Sequence, residues 1–156
     1  MDTTAGMRAM PRHEAPNDEW RAWADGYPSF ASAGLRCVEI SDTTAVFDFG
    51  GTPFPLNPNG AVNGGIVALA ADQIMGVLGA RLAPTGSMPV TAVLQVQYHS
   101  PAVAPLTLTA QAVHSGRTLQ TIEVVVHDAR GRRCSTATGT MSVGALEQRI
   151  APAVGA

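Results

Sequence analysis

Three observations predict an α+β fold: one long apolar stretch of helical length, a series of strand-like runs after it, and very little charge. The apolar stretch runs from Gly64 to Leu82, and its one formal charge away from the ends is Asp72, beside Gln73. A helix that is apolar on every face is a buried helix. Four strand-like runs follow, 88–99, 106–114, 119–127 and 132–143. Consecutive strands joined by short turns read as an antiparallel meander. A long antiparallel sheet with a single very apolar helix implies a sheet curled around that helix.

Composition bounds the rest. At 156 residues the chain is long enough for one domain with a substantial core, placed at 17–144 between flexible segments at 1–16 and 145–156. A net charge of −2 with 14% charged residues leaves no basic stripe, so nucleic acid and anionic membrane are excluded as expected partners. All ten basic residues are arginine, which reflects coding bias rather than function. The two cysteines, Cys37 and Cys134, sit in apolar runs without partner histidines. They read as core residues, not as a disulfide or a metal site, and no metal or cofactor is expected. The N-terminal segment has no apolar run of the kind that directs secretion, so a cytoplasmic location is expected.

In chain order, Asn17 caps a short helix through Asp25, with Asp18 and Glu19 in its first turn and Gly26 closing it. Trp20 and Trp23 are three apart and share a face, which packs the helix as a lid or takes an apolar acyl chain. Residues 26–34 read as a loop, and 35–40 and 44–49 as strands joined by Ser41, Asp42 and Thr43. The Pro-, Asn- and Gly-rich stretch 50–60 delivers the chain to the long helix. Arg81 in that helix's last turn suits the dipole, and Pro84 stops it. On strand 88–99, Val90, Ala92, Leu94, Val96 and Tyr98 alternate with Thr91, Gln95, Gln97 and His99. The second set is too polar for a core and lightly charged for a surface, so it reads as a wet cleft, a subunit interface or a plain solvent face.

The helix carries the candidate chemistry. Its nineteen residues approach the ~20 that span a bilayer, but a central Asp/Gln pair, glycines and no flanking Lys/Arg cluster argue against a membrane span. A carboxylate halfway along a buried helix costs several kcal/mol unless it is paired or neutralised, so Asp72 is either well paired or working. Asn63 is a good N-cap, and Gly64 and Gly65 after it leave the first free N–H groups unshielded. Such a terminus admits a ligand's carbonyl or phosphate, or else packs tightly on a strand. Gly65 and Asp72 are about two turns apart and share a face.

The order strand–strand–loop–helix–four strands, with VNGGIVALAADQIMG opening the helix, resembles the hotdog-fold acyl-CoA thioesterases of the phenylacetate-pathway type. Further matches are QYHSPA at 97–102, HSGR at 114–117 and the closing DARGRRCSTATGT strand, so the resemblance covers about 34–143. It implies a homodimer, often paired into a tetramer, with active sites at the dimer interface and an acyl-CoA as substrate, CoA being part of the substrate rather than a cofactor. By position, Asp72 matches the family's catalytic carboxylate, acting as general base or nucleophile. Gly64 matches the glycine whose N–H polarises the thioester carbonyl, and Asn57 an asparagine that helps hold the water or nucleophile. Thr91 stands where some members place a water-orienting hydroxyl. Gly116 and Arg117 match a turn near the CoA moiety, and Gly65 and Gln73 are expected substrate contacts beside the catalytic pair. Asn63 stands where many members carry histidine. Asparagine donates a hydrogen bond to a carbonyl or caps the helix but carries no proton charge at working pH.

Three functions compete on this fold. Thioester hydrolysis needs a carboxylate and an oxyanion donor, both present on the helix. A non-catalytic acyl-CoA-binding or sensing module is the alternative that Asn63 favours. Hydratase chemistry needs a histidine paired with an acid, and the helix offers none. A DNA-binding regulator is disfavoured, because the segment before Leu35 is too short and acidic for a helix-turn-helix.

Overall fold

The computed structural model describes residues 9–50 and 56–145. The outer parts of both expected flexible ends, 1–8 and 146–156, and positions 51–55 of the loop before the long helix lie outside the described residues. The elements are α1 (Asn17–Asp25), α2 (Pro28–Ala33), β1 (Leu35–Ile40), β2 (Thr44–Phe49), α3 (Gly64–Leu82), β3 (Ser87–Tyr98), β4 (Leu106–Ser115), β5 (Leu119–His127) and β6 (Arg133–Ala145). The six strands form one antiparallel sheet in the order β1-β2-β4-β5-β6-β3, with α3 packed against five of them. This is the hotdog arrangement.

The core lies between α3 and the sheet. Ile74, Met75 and Leu78 of α3 are fully buried in one cluster with Phe47, Leu108, Ile122 and Met141. Each such side chain contributes roughly 1.5–3 kcal/mol on leaving water. Close approach of helix to sheet depends on small residues: a Cβ at Gly139 would meet the Met75 sulfur at 2.4 Å. Near the other end of α3, the buried Gln120 donates from Nε2 to the Gly79 carbonyl at 3.2 Å.

Four expectations change. The helix α1 starts at Asn17, but Pro16 occupies the cap position, and Asn17 Oδ1 instead accepts from the Arg81 guanidinium at 3.4 Å. The supposed loop 26–34 contains α2, which Pro28 opens at its first turn and Gly34 closes in the left-handed conformation at φ 73°. The four later strands are not a single meander, because β3 pairs with β6 at the far edge and not with β4. Both edges of β4 are taken by β2 and β5, and the β3–β4 connection carries Pro101 and Pro105, which suit no tight hairpin. Nor is α3 buried all round: Gly65 and Leu69 are exposed and Ala68, Asp72, Gln73 and Gly76 are half-buried.

Arg81 does more than answer the helix dipole. It is 7% exposed, donates to the His13 carbonyl at 2.6 Å and pairs with Asp42 in the β1–β2 turn. Its guanidinium lies 5.8 Å from the Trp20 ring centroid. A buried cation engaged from three segments, although its Nε has no partner among the described residues, therefore ties residues 13–17, α1 and the β1–β2 turn to the end of α3.

Candidate active site

The first turn of α3 is held by a short relay of amides. Asn63, in a non-helical backbone conformation at φ −57° and ψ 135°, caps the helix by accepting the Gly65 N–H on Oδ1 at 2.8 Å. Its Nδ2 donates to Asn57 Oδ1 at 3.1 Å, so the capping amide is itself oriented by the upstream asparagine. Asn57 is fixed in turn by a loop turn in which its N–H donates to the Ala61 carbonyl and its own carbonyl accepts from Gly60, each at 2.8 Å. The turn closes on Gly60 at φ 76°, a conformation that glycine adopts freely. The cap takes the Gly65 N–H and leaves that of Gly64 without a partner among the described residues. Gly64 and Asn57 line a cleft of about 280 Å³ with Val62, Tyr98, Ser100 and Ala102.

Asp72 stands in a second cleft. It is half-buried, and Thr91 Oγ1 donates to its Oδ1 at 2.7 Å. This contact exists because β3 carries a bulge: Thr91 is paired with Met141 and Val93 with Thr140, leaving Ala92 over. The extra residue reverses the alternation that the sequence shows. Thr91 therefore faces α3, on the same side as Leu94 and Val96, which pack on the core, rather than on the opposite face with Gln95 and Gln97. The cleft holds about 180 Å³ and its apolar wall comes from Trp23, Tyr27 and Phe30 of the α1–α2 segment, with Met88 and Met141 opposite. Trp23 and Tyr27 meet edge to face with centroids 5.3 Å apart. Gln73 also lines it, and its Oε1 accepts from Ser29 Oγ of α2 at 3.0 Å.

The structure thus joins Asp72 to Thr91 and Asn57 to Asn63, but it keeps these two groups in separate clefts. Gly65 is exposed next to the cap. Gly116 and Arg117 lie in the β4–β5 turn, at the end of the sheet where Gln120 pairs with Met141, whereas Gly64 meets Tyr98 at the opposite end of β3. Neither turn residue lines the Gly64 or the Asp72 cleft of its own chain. Sequence reasoning missed Tyr98, whose hydroxyl donates to the Gly64 carbonyl, and the Tyr27 and Phe30 wall. Pro28 and Gly34 were the available signal for α2. Nothing in the alternation of β3 marked Tyr98.

Chemically, the second cleft offers a carboxylate with one oxygen engaged by a hydroxyl, at the mouth of an apolar space. Such an oxygen pair can take a proton from water or attack an electrophilic carbon. The first cleft offers a free N–H at a helix N-terminus, which suits a developing oxyanion. Burial raises the pKa of Tyr98, so its hydroxyl stays a donor through the neutral range. Among the described residues no group of His, Cys, Asp and Glu is placed to hold a metal ion.

Residues 59–135 match the model of the Thioesterase superfamily. A thioesterase from Haemophilus influenzae superposes with a TM-score of 0.74 at 16% identity, over 85% of this chain and 92% of that one. A hypothetical thioesterase from Streptococcus pneumoniae, solved with coenzyme A, is 27% identical at a TM-score of 0.64, over 71% of this chain and 86% of that one. A Streptococcus mutans protein solved bound to acetyl-CoA is 25% identical at a TM-score of 0.64, covering 71% of this chain and 89% of that one. No curated protein matches the chain.

Proposed function

We propose that this hotdog chain, with its thioesterase-superfamily segment, hydrolyses an acyl-CoA to free acid and CoA in a site that two copies build together. The observation that carries this reading is a half-buried carboxylate, Asp72, held by Thr91 at 2.7 Å beside an apolar cleft on the matched segment. In the proposed reaction Asp72 takes a proton from water as that water attacks the thioester carbon. The carbonyl oxygen gains negative charge against a Gly64 N–H, the C–S bond breaks, and the CoA sulfur leaves as thiolate and takes up a proton. Direct attack by Asp72 through an anhydride gives the same products after hydrolysis.

A second copy is needed because one chain does not bring the two groups together. Asp72 lies eight positions beyond Gly64, about 12 Å along the helix axis, whereas reacting atoms and their donors must converge within about 3–3.5 Å. A two-fold axis beside Ala68, midway between them, sets Asp72 of one chain opposite the partner's Gly64. Two features favour such a contact: the incompletely covered face of α3 around Leu69, and β3, a twelve-residue strand with one edge unpaired among the described residues. An edge of that length and apolar content invites pairing with another chain. Exposed Val90 and Val93 lie on it.

The aromatic wall supports the Asp72 cleft as the seat of the acyl group, and the two proteins solved with CoA or acetyl-CoA support CoA as carrier. Asn63 in place of histidine favours a second reading, acyl-CoA binding without turnover. A thiol-release assay over short, long and aromatic acyl-CoAs tests both. Release that is saturable in substrate supports hydrolysis. Saturable binding with no release from any substrate overturns it in favour of the binding module.

A further inference from the structure

We propose that Tyr98 is a positioning residue for the Gly64 N–H, acting by clamping the peptide unit between Gly64 and Gly65. The inference rests on the reading above, in which Gly64 supplies the donor to the thioester carbonyl. Two consecutive glycines are the least constrained dipeptide a helix can begin with, and their backbone loses the most freedom on ordering. The Gly64 N–H belongs to the preceding unit, whose Asn63 carbonyl accepts from Ile66 and Val67 at 2.9 and 3.1 Å, so the flank left to fix is the Gly64–Gly65 unit. Here the unit is held at both ends. Its N–H donates to Asn63 Oδ1 at 2.8 Å, and its carbonyl accepts from the Tyr98 hydroxyl.

The tyrosine also packs on the glycine. A Cβ at Gly64 would stand 3.1 Å from the Tyr98 ring carbon Cζ and 3.2 Å from Cε1, so the ring lies directly over the Cα that precedes the clamped unit. Tyr98 ends β3, the same strand whose bulge aims Thr91 at Asp72. One strand therefore sets both halves of the machinery, the carboxylate through Thr91 and the oxyanion donor through Tyr98. Asn63 completes the clamp from the other side and is braced by Asn57. This gives the asparagine a positioning role that uses only its amide and needs no titrating group.

Tyr98→Phe keeps the ring and removes the donor. The expected result is a fall in kcat of about five- to tenfold, the size of one lost hydrogen bond, with KM changed by less than about twofold. Asn63→Ala supplies the control, since it releases the Gly65 N–H at the other end of the clamp without adding an atom against the Tyr98 ring. In that background Tyr98→Phe should change kcat no further, whereas a tyrosine that touches substrate or only stabilises the fold gives the same loss in both backgrounds. Amide hydrogen exchange gives a readout independent of turnover: Gly65, whose N–H the cap holds, should exchange faster in Tyr98→Phe than in the parent. Unchanged kcat, an equal loss in both backgrounds or unchanged exchange at Gly65 overturns the proposal. A parent protein without thiol release counts against the hydrolase reading, and the exchange result then decides the clamp alone.

Discussion

Thr91 Oγ1 donates to Asp72 Oδ1 at 2.7 Å, and a single extra residue in β3, Ala92, is what turns the threonine toward the helix. The hydrogen bond fixes the rotamer of the carboxylate and leaves its second oxygen for chemistry. A hydrogen bond to an ionised group is worth more than one between neutral partners. Thr91→Val, which matches the shape without the donor, should lower kcat by about tenfold or more with little change in KM, while Thr91→Ser retains most of the activity. Steady-state kinetics on the two variants check this. A Val variant as fast as the parent removes Thr91 from the site.

Tyr27 sits on the wall of the Asp72 cleft, next to Trp23 and Phe30. It is only half-buried, so trimming it opens the cleft with less cost to the fold than trimming the buried Trp23. Tyr27→Ala should shift the ratio of kcat/KM for long over short acyl-CoAs upward by about tenfold, the scale of a few methylenes in an apolar pocket. An unchanged ratio places the acyl group elsewhere.

Cys37 lies under α1 with its N–H donating to Asp25 Oδ1 at 2.7 Å. Burial, helped by the Asp25 charge, pushes its thiol pKa up to about 12. Burial likewise raises Cys134. Because only the thiolate reacts, native protein at pH 8 should give almost no colour with a disulfide reagent, and unfolded protein should titrate both thiols. The sign for stability follows. The unfolded thiol ionises near ~8.5 while folded Cys37 stays protonated, so its contribution is complete below that pH and is lost progressively as pH rises toward 12. Denaturant midpoints measured between pH 7 and 10 should fall with pH more steeply than those of Cys37→Ala.

Much of this was legible in the residues. The bounds of β1, β2, α3 and β5 follow from caps, periodicity and turn residues and coincide with the structure, as does the end of α1 at Asp25, while its cap position falls to Pro16 rather than Asn17. The apolar length of α3 and its lone carboxylate marked the centre of the proposed site, and Asn63 was readable as the helix cap. What was not legible depends on contacts made at a distance. The bulge at Ala92 leaves no mark on a sequence that goes on alternating, so Thr91 was placed on the wrong face of β3. The partner of β3 is decided by β2 and β5 occupying both edges of β4, which no local signal reveals. The short helix α2 hides in Ser and Ala residues whose only markers are Pro28 and Gly34. Arg81 reads as a dipole partner because its carbonyl and carboxylate partners come from residues 13 and 42.

The central claim is that each site takes Asp72 from one chain and Gly64 from its partner. Asp72→Asn and Gly64→Pro should each lower thiol release by about a hundredfold, the first by removing the base and the second the oxyanion donor. Unfolding and refolding the two variants together in equal amounts then decides the geometry. In a mixed dimer one site inherits both lesions and the other inherits neither. Statistical pairing makes half of the dimers mixed, so the refolded mixture should recover about a quarter of the parent rate. A mixture that stays as slow as the two separate variants, while the refolded parent recovers fully, contradicts a site shared between chains.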